Sequence, residues 1–186
     1  MQKEYQHLIE KVRSVLKYNS LDLSAREDLA VAVMNLISLE EHLFFTAQRT
    51  KEEKYYDLLN KVREMRKKFL KKIITKEPKS QEWCISKHLL SATMRLIEVG
   101  TKKLNAGNRK EAEEFFENAQ NLWSLFWAIN LNLVPVNNLN SNRKEKYHFN
   151  LSPEQKKENQ EEKTEQKSFF YKLNKIIQKV LNCCKE

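Results

Sequence analysis

Glycine occurs twice and proline three times in 186 residues. Sheet proteins turn at short intervals, and tight turns draw on those two residues. A chain this poor in both is built from long helices joined by short polar loops, so the expected fold class is all-α. The three cysteines, two of them neighbours, do not make a disulfide framework. No apolar stretch follows the initiator methionine, so a secretory signal is not expected. No apolar run is expected to reach the roughly 18–20 residues that span a bilayer. These absences together lead to the expectation of a cytoplasmic chain with reduced thiols and no transmembrane segment. With two glycines there is no Gly-rich phosphate loop, and no nucleophile–base pattern stands out. The expectation is a non-enzymatic protein without a cofactor.

Charge is present in quantity but unevenly placed. The formal net charge is +9. Residues 61–76 hold eight basic side chains and one Glu, and residues 167–186 hold five Lys and one Glu. These segments carry +7 and +4, leaving −2 for the remainder. The chain is near neutral with two basic patches, and local charge density is what attracts phosphates.

Helix boundaries are well marked. In residues 1–19, Tyr5, Leu8, Ile9, Val12, Val15 and Leu16 recur every three or four residues, predicting an amphipathic N-terminal helix. Ser24 with Glu27, and Thr50 with Glu53, have capping-box spacing and predict two helix starts. Pro78 and Ser80 precede a further helix carrying Ile85, Leu89, Leu96, Val99 and Leu104. Gly107 ends it, Asn108 with Glu111 caps the next, and Pro135 ends that one. Connections of a few residues force successive helices to run antiparallel. The result is an antiparallel up-and-down bundle of four to five helices over residues 20–135. The helix from Leu29 to Phe45 is apolar around most of its circumference, as expected of a central element. Residues 136–167 alternate basic and acidic side chains with few large apolar ones and are expected to form a polar linker, with a possible helix start at Ser152. Residues 168–186 form a separate C-terminal amphipathic helix.

That tail puts Phe169, Phe170, Leu173, Ile176, Ile177, Val180, Leu181 and Cys184 on one arc, with Lys172, Lys175 and Lys179 opposite. Three destinations are open to it: its own bundle, a groove on a partner or second copy, or an anionic membrane surface. No prenylation box ends the chain. On the helix following Thr50, Lys61, Lys67, Lys68, Lys71 and Lys72 share a face that could meet nucleic-acid phosphates without reading sequence. Cys84 and His88 sit at i and i+4, a metal-ligand spacing that Cys183 and Cys184 could in principle complete. Adjacent cysteines point about 100° apart on a helix, which weakens a zinc site, and none is expected. Glu4/His7 and Glu145/His148 have the Glu-x-x-His spacing of di-iron bundles but lie outside the inner helices. Glu40 falls in the apolar arc with Val33, Leu36 and Phe44. It must find a partner, have a raised pKa, or rotate to water.

Gly100, Gly107, Ala112, Phe116 and Ala119 have the spacing of the small-residue positions in a tetratricopeptide repeat, so residues 96–124 resemble one such hairpin. The resemblance implies close packing of two antiparallel helices. Lys103 and Ser124 depart from the repeat's usual aromatic and proline, and the motif occurs once, whereas arrays need about three copies. The stretches SLEEHLFFT and WCISKHLLSATMRLIEVGTK are similar to uncharacterised helical-bundle proteins of small-genome archaea and bacteria, which implies no activity. The combined expectation is an interaction or scaffold protein with a protein partner or self-association. Nucleic acid through the lysine face is the alternative, and peripheral membrane contact through the tail is a further possibility. A metal-binding protein or small helical enzyme would need Glu40 or Cys84 and His88 to converge in a pocket.

Overall fold

The computed structural model describes residues 10, 23–74, 80–133, 169–178 and 181. The expected N-terminal helix, the polar linker, Val180, Cys183 and Cys184 lie outside the described residues. Every regular element described is a helix: α1 (Leu23–Thr50), α2 (Glu53–Ile73), α3 (Gln81–Asn105), α4 (Arg109–Asn130) and α5 (169–178). The fold is an all-α bundle of two helical hairpins, α1–α2 and α3–α4, with α1 also packing on α3. The short α5 lies against them.

Chain reversals show how the sequence signals operate. Lys51, at φ 61°, takes the left-handed conformation that ends α1, and its N–H bonds the Ala47 carbonyl at 2.9 Å. Thr50 is therefore the last residue of α1. Its hydroxyl donates to the Thr46 carbonyl (2.9 Å), and Glu52 takes the N-cap position of α2. Ser80 caps α3, accepting from the Trp83 N–H at 3.2 Å. At the α3–α4 reversal Gly107 has φ 79°, and the Asn108 N–H bonds the Lys103 carbonyl at 2.9 Å. That bond occupies the donor a returning Glu111 would need. Glu111 instead pairs with Lys103 across the hairpin, and Asn108 caps by position with no side-chain bond. Helix α4 stops at Asn130, before Pro135 is reached. Asn132, at φ 55°, closes the end, and the Leu133 N–H bonds the Ala128 carbonyl at 2.8 Å.

The central element is the C-terminal half of α4, correcting the expectation for α1. Phe126, Trp127, Ala128, Ile129, Asn130 and Leu131 are all buried. In contrast, only 22% of the most apolar 18-residue window of α1 is buried. The C-terminal half of α4 packs closely on α3 and shares a buried cluster with Ala30, Val33 and Met34 of α1 and with Leu173 and Ile177 of the tail, whereas α1 packs mainly on α2. On α3 the buried stripe is Ser86, Leu89, Leu90, Thr93 and Gly100, while Val99 and Leu104 face outward.

Gly100 explains the closeness of α3 and α4. A Cβ there would lie 2.6 Å from Phe116 Cε1 and 3.2 Å from the Phe115 Cβ. The backbones approach because that atom is missing. Gly100→Ala is expected to force the Phe116 ring aside and to cost about 1–3 kcal/mol by overpacking, despite the better helix propensity of alanine. Urea unfolding checks this, and an unchanged or raised midpoint would contradict it.

Several polar side chains are buried in the bundle, Arg26 and Asn130 among them. Arg26 is fully buried, donates Nη2 to the Ile73 carbonyl at 2.6 Å, and lies 5.7 Å from the Trp127 ring centroid. It thus sits at the negative end of α2 and over an aromatic face, two placements that favour a cation. Burial pushes its pKa below the ordinary arginine value. Its Nε and Nη1 find no hydrogen-bond partner among the described residues, and neither does Trp127 Nε1. Asn130 donates Nδ2 to Ser86 Oγ (2.9 Å) and to the Phe126 carbonyl (2.8 Å), joining α4 to α3.

Candidate interaction surface

The carboxylate singled out from sequence is paired. Arg66 of α2 donates Nε to Glu40 Oε1 at 2.7 Å and Nη2 to Oε2 at 3.2 Å, and Arg63 approaches Oε2 at 3.8 Å. The Glu40 side chain is 15% exposed and that of Arg66 7%. Of the three outcomes open to Glu40, the helices adopt the fork-to-fork ion pair, which pins the middle of the α1–α2 seam. Gln48 of α1 donates to the Tyr56 hydroxyl of α2 at 2.9 Å, marking one edge of that seam.

The other edge is open. At about 100° per residue, Leu39 and Leu43 of α1 and Leu58, Val62 and Met65 of α2 face the side away from the Gln48–Tyr56 bond. Leu43 is buried, but Leu39, Leu58 and Met65 are 42%, 44% and 48% exposed. Phe44 and Phe45, stacked edge to face near the hairpin tip, are also exposed. The apolar arc of α2 is thus used on one flank, against α1, and bare on the other. Scattered exposed leucines are ordinary; a bare strip shared by two adjacent helices is a candidate interaction surface.

The lysines lie beside it. Lys61, Lys67, Lys68, Lys71 and Lys72 are all exposed. Lys67 is held by Glu64 at 2.7 Å, while the other four make no ion pair among the described residues. The Glu64 carboxyl is correspondingly held below the usual carboxylate range by its bond to Lys67. On the inner side of α1, Arg95 bridges Glu41 of α1 and Glu98 of its own helix α3, which raises its pKa. The charges joining α1 to α3 are therefore paired, and Lys61, Lys68, Lys71 and Lys72 of α2 stand without an ion pair among the described residues.

The tail helix brings Leu173, Ile177 and Leu181 into the same buried cluster as Phe126 and Trp127. Asn174 donates to Asn121 Oδ1 of α4 at 2.9 Å. Phe170 is partly buried, packs on the core, and closes one side of a cleft of about 620 Å³ between α3 and α4. Ile176 is partly buried, while Phe169 remains exposed. In this arrangement the tail docks on its own bundle.

Cys84 and His88 are both exposed on α3, and Cys84 is a free thiol. Among the described residues no group of three or more His, Cys, Asp or Glu side chains could hold a metal ion. Among the described residues one helix, α1, is long and apolar enough to cross a membrane by length and composition, where none was expected. The Glu40–Arg66 pair and the buried Arg26 tie that helix into the bundle as a wall. No protein-family model, curated protein or solved structure matches the chain.

Proposed function

We propose that the protein is a non-enzymatic interaction module whose working surface is the bare apolar edge of the α1–α2 hairpin. The observation that carries this reading is the exposure of Leu39, Leu58 and Met65 together on one edge of the hairpin, beside the exposed lysines of α2. Such a strip is unfavourable in water and becomes favourable when covered. A protein partner, a second copy of the chain or a lipid surface meets that need. The exposed free thiol of Cys84 fits a reducing, cytoplasmic setting. The tail helix acts as a tethered fifth element, joined to α4 through the 35 residues between Leu133 and Phe169.

The experiment is a mass measurement on the chain recovered from cells, with and without Leu39→Ser, Leu58→Ser and Met65→Ser. The native chain should travel in an assembly heavier than its own 22.2 kDa, and the triple variant should travel as the free chain with unchanged helical content. A native chain recovered only as free monomer would count against the reading.

The tail makes a separate prediction. Ending the chain at residue 167 removes the burial of Leu173, Ile177 and Leu181 and uncovers part of the α4 core. The truncated chain should lose about 3–5 kcal/mol of unfolding free energy, the scale of fully burying two or three aliphatic side chains less the cost of ordering them. Chemical denaturation checks this, and a loss under about 1 kcal/mol would make the docking incidental.

A second reading rests on a different observation, the four lysines of α2 that make no ion pair. Lys61, Lys68, Lys71 and Lys72, with Lys67, supply a face suited to the phosphate backbone of RNA or DNA, with affinity that falls steeply with salt.

A further inference from the structure

The lysines and the apolar strip of α2 are one surface, and their juxtaposition says what covers it. At about 100° per residue, Leu58 and Met65 lie within roughly 60° of Lys61 and Lys72, and Lys68 continues the same flank. Lys61, Lys68 and Lys72 are exposed and make no ion pair among the described residues, and Leu58 and Met65 are nearly half exposed. Lys54, at the start of this flank, is held by Glu52. On the arc from Leu58 to Lys68 every side chain is apolar or basic; Asp57 lies about 20° beyond Lys68, and Glu64, further round, is neutralised by Lys67.

We propose that this lysine-flanked strip docks on the surface of an anionic phospholipid bilayer. A surface-lying helix needs apolar side chains pointing down, and lysines at the border whose stems run along the acyl region while their ammonium groups reach the headgroups. Helix α2 supplies both over 21 residues, ~30 Å of helix. Leu39 of α1 widens the apolar side. Charge complementarity selects the occupant: the flank is cationic, so the matching surface is anionic. A nucleic acid satisfies the lysines but leaves Leu58, Met65 and Leu39 in water. A bilayer uses all of them. The tail, the other lysine-bearing amphipathic element, has Leu173 and Ile177 committed to the bundle core.

This inference rests on the reading of the α1–α2 edge as the working surface, and names its partner. The test is flotation of the full chain with phosphatidylcholine vesicles, with mixed phosphatidylcholine–phosphatidylserine vesicles, and with mixed-sequence RNA and DNA as parallel arms. The native chain should float with the mixed vesicles and not with the neutral ones. The triple variant Lys61→Gln, Lys68→Gln, Lys72→Gln should lose about a hundredfold in partition, at the usual contribution of a lysine near an anionic surface. The pair Leu58→Ser, Met65→Ser keeps every charge and should lose about tenfold. All five positions are exposed or half-exposed, so circular dichroism should confirm that both variants fold. Three results would overturn the inference: no flotation at low salt, flotation unaffected by the Leu58/Met65 pair, or nucleic-acid binding without vesicle binding. If vesicles fail while the same strip is shielded inside cells, the lipid assignment falls and the interaction surface stands. If the strip is also unshielded in cells, both fall.

Discussion

Trp127→Ala should lower the unfolding free energy by about 3–5 kcal/mol, the range for emptying a large aromatic site in a core. The physical basis is specific to α4. Trp127 is fully buried, packs edge to face with Phe126 and with Trp123 at centroid distances of 5.1 and 5.7 Å, and offers its face to Arg26. Removing the ring opens a cavity and also leaves the buried guanidinium with the Ile73 carbonyl as its one hydrogen-bond partner among the described residues. For a chain of this size the midpoint of thermal melting should drop by roughly 10 °C. The comparison that isolates the cation is Trp127→Leu in the native and Arg26→Met backgrounds. The tryptophan replacement should cost less where no charge sits on the ring. Equal costs in both backgrounds would show that the ring serves only as packing.

The second large effect lies at the Glu40–Arg66 pair. Glu40→Ala leaves Arg66 buried without its carboxylate and should cost about 3 kcal/mol, as is usual when one partner of a buried pair is removed. Arg66→Met alone strands the carboxylate and should cost a similar amount. Glu40→Leu combined with Arg66→Met removes both charges and supplies apolar volume, and should return to within about 1 kcal/mol of the native chain. Guanidinium is unsuited to this measurement because it screens charge; urea unfolding at two salt concentrations is the appropriate check. If Glu40→Ala costs under about 1 kcal/mol, the pair behaves as a surface salt bridge, and the α1–α2 seam is held by its apolar contacts.

How far this architecture is legible in the sequence depends on the kind of signal. Helix identity and class follow from scarce glycine and proline and from periodicity, and Ser80 and Gly107 act where their chemistry says. What periodicity does not encode is which apolar helix lies in the middle. Helix α1 is apolar around most of its circumference yet forms a wall, because burial depends on how a helix is packed and not on how apolar it is. Helix α4 takes the centre because Trp123, Phe126 and Trp127 concentrate bulk in one turn, which no count of apolar positions weighs. Capping boxes fail where a stronger local bond takes the donor, as the Lys103 carbonyl takes the Asn108 N–H.

The polar interior is half legible. Glu40 is marked by its place on the apolar arc, and the same arithmetic marks Arg26, four residues before Ala30 and seven before Val33. Its partners, however, lie 47 and 101 residues away, at Ile73 and Trp127. The surface follows the same division. The lysine face of α2 is readable from one helix, whereas the bare strip beside it becomes visible only when α1 covers one flank of α2 and leaves the other. The apolar face of the tail is equally readable, but the bundle as its resting place follows from the packing of α4 and from the Asn174–Asn121 bond.

The account centres on the claim that Leu39, Leu58 and Met65 are covered when the protein is at work. Hydroxyl-radical footprinting compares that strip in intact cells with the purified chain. Met65 is the most sensitive reporter, since its thioether oxidises readily when open to solvent. Met65 and Leu58 should label strongly in the purified protein and be shielded severalfold in cells, while exposed Tyr171 of α5 labels equally in both. Equal labelling of Met65 in the two settings would contradict the claim.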